Sequence, residues 1–100
     1  MPAYIIADVT VTDPEGYEAY RARVPAVIAA HGGRYLARGG AIMTLEGEWN
    51  LGRCVILEFP DMAHVKVFWE SAEYAPLRAI RESCATSRLV AVEGYSPPSA

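Results

Sequence analysis

Lysine is nearly missing from this chain: Lys66 is the single one, and the remaining basic residues are arginines. A net charge of -3 with so little clustered positive charge argues against nucleic-acid binding, which needs grouped Lys and Arg to release counterions. Arginine without lysine favours fixed planar contacts with carboxylates or aromatic faces over diffuse steering. Cysteine is as sparse. Cys54 lies in an apolar stretch and Cys84 at the end of an expected helix, neither in a CxxC pair nor near a histidine at ligand spacing. Both read as buried small hydrophobes, and a bridge between them would require the strand and helix ends to meet. No apolar run approaches membrane-spanning length, and MPAYIIADV has neither a basic n-region nor a long apolar h-region, so no membrane association and a cytoplasmic location are expected. P-loop, GxGxxG, HExxH and GxSxG patterns are missing, and His31 and His64 are well separated, so no metal and no cofactor are expected.

What is present fits one domain. The chain has 100 residues, 52% of them hydrophobic and 21% charged, which suits a globular fold that needs neither metal nor bridges. A single domain over 1–96 and a tail over 97–100 are expected, because SPPSA extends neither a helix nor a central strand. AYIIADVTV (3–11) alternates as a strand. Asp13 then serves as N-cap and Pro14 as first helical residue of a helix whose stripe is Tyr17, Tyr20, Val24, Val27 and Ile28. Pro25 predicts a kink rather than two helices, and Gly32 predicts a left-handed C-cap.

A return strand starts at Arg34, with Arg34, Leu36 and Arg38 alternating against Tyr35 and Ala37. Gly39-Gly40 suggest a bulge, AIMTLEG continues the strand, and Glu46 to Gly52 make the hairpin loop. RCVILEF is the third strand. A helical segment follows from Asp61, in which Ser71 caps a second piece with Tyr74, Leu77, Ile80 and Cys84 inward. SRLVAVEGY is the fourth strand. The order is that of an α+β, ferredoxin-like βαββαβ domain: a four-stranded antiparallel sheet with helices on one face. Its other sheet face is apolar enough to predict a homodimer.

GGRYLARGG (32–40), LEGEW (45–49), RCVILEFPD (53–61) and the spaced W-E-S-A-E-Y-x-x-L-x-x-x-R from Trp69 to Arg81 together resemble domain-of-unknown-function family 1330. The likeness runs from Tyr4 to Gly94. It implies the dimeric α+β barrel, in which two ferredoxin-like protomers pack sheet to sheet and each keeps a cavity between helices and sheet. Related families include cofactor-free antibiotic-biosynthesis monooxygenases, muconolactone isomerases and haem-binding proteins, so the likeness fixes a fold and no reaction.

His31, Arg38, Glu58, Trp69, Tyr74 and Arg81 are candidates to line such a cavity, and Trp49 stands outside these six in the hairpin loop. His31 is either a general base near neutral pH or a helix-end residue interacting with the dipole. Glu58 is either a desolvated acid or base, or an ion-pair partner of Arg38 or Arg81. Arg38 could grip a carboxylate or carbonyl, or pair across the sheet with Glu46 or Glu58. Trp69 could wall a pocket or pack in the core, and Trp49 could wall a pocket or touch another protomer. Tyr74 and Arg81 lie seven apart on one helical face, so a ligand acid could meet a hydroxyl and a guanidinium together. The expected function is a small-molecule site for a planar or carboxylate-bearing compound, with cofactor-independent proton transfer or oxygenation as its chemistry. A non-catalytic binding or regulatory dimer and a purely structural dimer are the alternatives.

Overall fold

The β-branched run at the start forms β1 (Ala3–Val11), where Ala3, Ile5, Ala7 and Val9 are buried and Tyr4, Ile6 and Asp8 face the other way. A computed structural model describes residues 1–96, and the tail expected at 97–100 lies outside the described residues. Helix α1 (Pro14–Ala30) begins where Asp13 accepts a hydrogen bond from the Gly16 N–H at 3.3 Å. Pro14 occupies its first turn, and the helix runs through Pro25 as one element. Gly32 ends it at φ +81°, a conformation glycine enters without a Cβ penalty, and the Gly33 N–H donates to the Ile28 carbonyl at 2.9 Å.

The remaining elements are β2 (Arg34–Arg38), β3 (Arg53–Phe59), α2 (Met62–Trp69), α3 (Ala75–Cys84) and β4 (Ala85–Glu93). The sheet is antiparallel throughout with order β2-β3-β1-β4, as the ferredoxin-like reading requires. Ile5, Leu57 and Phe59 from the strands pack against Val24, Ile28, Val65, Phe68, Tyr74 and Leu77 from the helices. Aromatic stacking joins the layers, with ring centroids 5.2 Å apart for Phe59 and Phe68 and 4.5 Å apart for Phe68 and Tyr74. No helix among the described residues is long and apolar enough to cross a membrane.

The structure corrects the sequence reading around β2. AIMTLEG does not continue the strand; residues 39–52 form an irregular loop, exposed from 39 to 50, of which the expected turn at 46–52 is only the end. Gly39 still donates to the Cys54 carbonyl at 2.8 Å, but its φ of +70° turns the chain away from the sheet. This projecting loop fits a radius of gyration of 14.4 Å, above the about 13 Å expected of a compact chain this long. The bulge lies between Tyr35 and Ala37 rather than at Gly39-Gly40. It also undoes simple alternation, because Tyr35 pairs with Leu57 and Arg38 with Val55, so both reach the helix side.

The second helical segment is divided as expected, but Ser71 bridges the break instead of capping α3. Its hydroxyl donates to the Phe68 carbonyl at 2.8 Å and accepts from the Tyr74 N–H at 3.1 Å, and Tyr74 itself holds the N-cap position. Strand β4 starts directly at Ala85, two residues before the expected Ser87. Cys54 and Cys84 are both free thiols; Cys54 pairs with Asp8 on the outer side of the sheet, while Cys84, the last residue of α3, is buried with Ala7, Val9 and Tyr17.

On that outer side Asp8 accepts from Arg88 at 2.8 Å and from the Gly52 N–H at 2.9 Å. The Arg88 hydrogen bond, followed by that from Gly52, holds its carboxyl below the usual range. A depressed folded-state pKa contributes stability that is fully present above the unfolded value and lost as pH falls through the folded one. Asp8→Asn is therefore expected to flatten the fall in melting temperature below about pH 4; an unchanged acid limb in a pH series of melting curves would contradict this.

Candidate functional site

The bulge in β2 and the period of β3 decide what faces the space between helices and sheet. A cavity of about 40 Å³ lies there, between α1, α2, α3 and the strands. Four tyrosines line it (Tyr17, Tyr20, Tyr35 and Tyr74), as do four arginines (Arg21, Arg38, Arg53 and Arg81), and among the described residues no carboxylate or histidine does. The rest of the wall is apolar. One water occupies roughly 10–15 Å³ on this measure, while a benzene-sized guest needs about 150 Å³, so a ring enters only if side chains move.

The four arginines are differently occupied. Arg21 pairs with Glu18 at 2.8 Å. Arg38 donates to the Arg21 carbonyl at 2.8 Å and lies 4.7 Å from the centre of the Tyr35 ring. Arg53 approaches Tyr17 at 5.9 Å and keeps its Nε without a partner. It also explains Gly39, where a Cβ would run into the Arg53 guanidinium. Arg81 is the extreme case. It is 4% exposed, the one buried charged residue among those described, and no carboxylate pairs with it. Burial works against its charge, but the neighbouring Tyr74 and Tyr20 hydroxyls outweigh that effect and raise its pKa.

The Tyr20 and Tyr74 hydroxyls are 3.1 Å apart and share a hydrogen bond. Burial first, then the nearby Tyr74, pushes the Tyr20 hydroxyl far above the ordinary tyrosine value. At neutral pH Tyr20 therefore donates and accepts hydrogen bonds and removes no proton from a ligand. Trp69 closes one side, with the Tyr74 ring 5.7 Å away and the Arg78 guanidinium 4.2 Å from its ring centre.

Of the six candidates, the structure brings Arg38, Trp69, Tyr74 and Arg81 together and leaves out two. Glu58 pairs with Tyr4 across the strands, shares the outer sheet face and binds Arg34 at 2.9 Å, because alternation in β3 turns Leu57 and Phe59 inward instead. It meets neither Arg38 nor Arg81. His31 lies at the α1 terminus, where its Nδ1 is 2.9 Å from the Val27 carbonyl and its ring packs edge-on to Phe68, away from the cavity. Trp49 is 69% exposed in the 39–52 loop.

Tyr20 and Arg53 belong to the cavity and were not singled out from sequence. Signals existed for both: a tyrosine on a buried helical stripe needs a partner for its hydroxyl, and Arg53 shares the parity of Val55, Leu57 and Phe59. Among the described residues, no group of His, Cys, Asp and Glu side chains could hold a metal ion.

A helical layer over a four-stranded antiparallel β2-β3-β1-β4 sheet defines a ferredoxin-like α+β fold. The chain belongs to the family described as "Domain of unknown function (DUF1330)", which matches residues 2–95. It is similar to the RPA0582 protein of unknown function from Rhodopseudomonas palustris, with a TM-score of 0.77, 21% identity, and 96% of this chain and 84% of that chain covered. It is also similar to SnoaB, a cofactor-independent oxygenase from Streptomyces nogalater, with a TM-score of 0.64, 16% identity and coverage of 96% and 95%. An antibiotic biosynthesis monooxygenase aligns with a TM-score of 0.53, 13% identity and coverage of 96% and 100%. At these identities the likeness carries the fold alone. No curated protein matches the sequence.

Proposed function

We propose that this protein binds a small planar, carboxylate-bearing molecule between its helices and sheet, and that it does so as a homodimer. The observation that carries the reading is Arg81: buried, charged and, among the described residues, without an acidic partner and in a wall that contains no carboxylate. A buried charge is normally paired, since an isolated one costs several kcal/mol by rough reckoning. An anionic ligand supplies the missing partner, the apolar and aromatic wall suits a planar body, and the Tyr20-Tyr74 hydroxyls suit a second oxygen.

Binding is favoured over catalysis. Proton transfer or oxygenation was expected to use His31 or Glu58, and both lie outside the cavity. What remains can orient a ligand and stabilise an oxyanion, but among the described residues it includes no carboxylate or imidazole to move a proton.

A thermal-shift series with benzoate, salicylate, 6-hydroxy-2-naphthoate and the corresponding amides tests the reading. An acid at a hundred times its Kd stabilises by about 2.7 kcal/mol, and the amides should not. Arg81→Met should remain folded, because a long apolar side chain replaces an unpaired charge, and should lose the shift. The reading fails if no acid raises the melting temperature or if Arg81→Met responds like the parent protein.

A further inference from the structure

Three buried side-chain polar atoms lack a hydrogen-bond partner among the described residues, Arg53 Nε, Arg81 Nε and Ser87 Oγ, and the last two belong to residues of one groove. Arg81 Nε and Ser87 Oγ are both sealed from solvent. They come from different elements, α3 and β4, yet both residues line one open groove of about 340 Å³ together with Trp69 and Leu89. Ser87 pairs with Val9, which is buried under the helices, so Ser87 belongs to the helix-facing side of the sheet. A buried hydroxyl and a buried guanidinium N–H left unsatisfied are unfavourable unless acceptor oxygens complete them. Glu82, the one acidic residue along the groove among those described, is paired with Arg78 at 2.9 Å.

Trp69 joins this groove to the interior. It lines the cavity of about 40 Å³, the α3–β4 groove, and a second open groove of about 340 Å³ beside Met62, Val65 and Val90. Leu89 is common to all three, and Arg81 to the cavity and the α3–β4 groove. The indole is therefore shared by a space too small for an aromatic ring and two larger open grooves.

We propose that Arg81 Nε and Ser87 Oγ form the carboxylate subsite of this cavity, reached from the β4 side when the Trp69 indole moves aside. The proposal rests on the planar-acid reading and adds to it a residue, an orientation and an entrance. The carboxylate accepts one hydrogen bond from each group, the ring lies along Leu89 and the apolar wall, and the Tyr20-Tyr74 hydroxyls take a second oxygen. The ligand class is thus a hydroxy- or oxo-substituted aromatic acid.

Calorimetric titration of 6-hydroxy-2-naphthoate and its amide into the parent protein, Ser87→Ala and Ser87→Thr tests the subsite. Ser87→Ala should weaken the acid about tenfold or more and leave the amide unchanged, while Ser87→Thr keeps the hydroxyl and the affinity. Ligand-free Ser87→Ala should melt at a higher temperature, since the hydroxyl it loses had no partner. That opposition between stability and affinity is one a merely structural serine would not produce. Equal acid affinity in Ser87→Ala overturns the subsite and leaves the planar-acid reading intact; no acid binding by the parent protein overturns both. For the entrance, a Trp49→Phe variant carrying 5-fluorotryptophan gives one ¹⁹F resonance, from Trp69. It should shift at saturation, and an unmoved signal overturns the role of Trp69.

Discussion

Phe68→Ala is expected to lower the unfolding free energy by about 3–5 kcal/mol, which is the cost of emptying an aromatic core site. Phe68 is 2% exposed and stands where the layers meet. Its ring packs on Phe59 from β3 at 5.2 Å, on Tyr74 before α3 at 4.5 Å and on His31 after α1 at 5.8 Å. Removing it breaks all three stacks at once and enlarges the cavity it lines. Domains of this size are stable by about 5–15 kcal/mol in total, so the variant should lie near the edge of folding. Urea denaturation of both proteins with equal slopes measures the loss; a change below about 1 kcal/mol would mean that the aromatic cluster does not hold the layers together.

Val90→Lys is expected to split the proposed dimer while leaving the protomer folded. Val90 is 62% exposed in the single chain, so a lysine there has room and water within one protomer. Around it the outer sheet face is apolar: Ile6 pairs with both Val90 and Ile56, and Leu36 and Val92 are also exposed. The Arg34-Glu58 and Asp8-Arg88 pairs flank this band, giving the apolar centre and polar margin of a protein interface. A two-fold interface places the new charge on both copies, and several kcal/mol of desolvation and repulsion weaken association by about 1,000-fold or more. Light scattering at micromolar concentration should give twice the 10.9 kDa chain mass for the parent protein and the single mass for Val90→Lys. A parent protein of single mass sinks the dimer, as does a variant that stays paired.

Much of the fold is legible in short-range pattern. Asp13-Pro14 announces α1, Gly32 its end, and the alternation of AYIIADVTV a strand with one buried side, because caps and periodicity are local properties of the backbone. Family likeness reaches the same architecture. The candidate site is less legible, and β3 shows why. Arg53, Val55, Leu57 and Phe59 lie on one side and Cys54, Ile56 and Glu58 on the other, and both sets are apolar enough to face a core. Period two separates the sets without saying which side the helices cover. Placing Glu58 in the cavity and passing over Arg53 are one choice of side, made the wrong way.

In β2 a single bulge defeats the same reasoning: it sends Tyr35 and Arg38 to one side, where unbroken alternation sends them to opposite sides. The sequence by itself determined the element order, the caps, the sheet-forming runs and the family, since each depends on neighbours a few residues away. Only the tertiary structure decided that Arg81, Tyr20, Tyr74 and Ser87 converge while His31 and Glu58 do not. That convergence depends on which sheet face the helices cover and on where a ladder slips, and both are settled by packing between residues far apart in the chain.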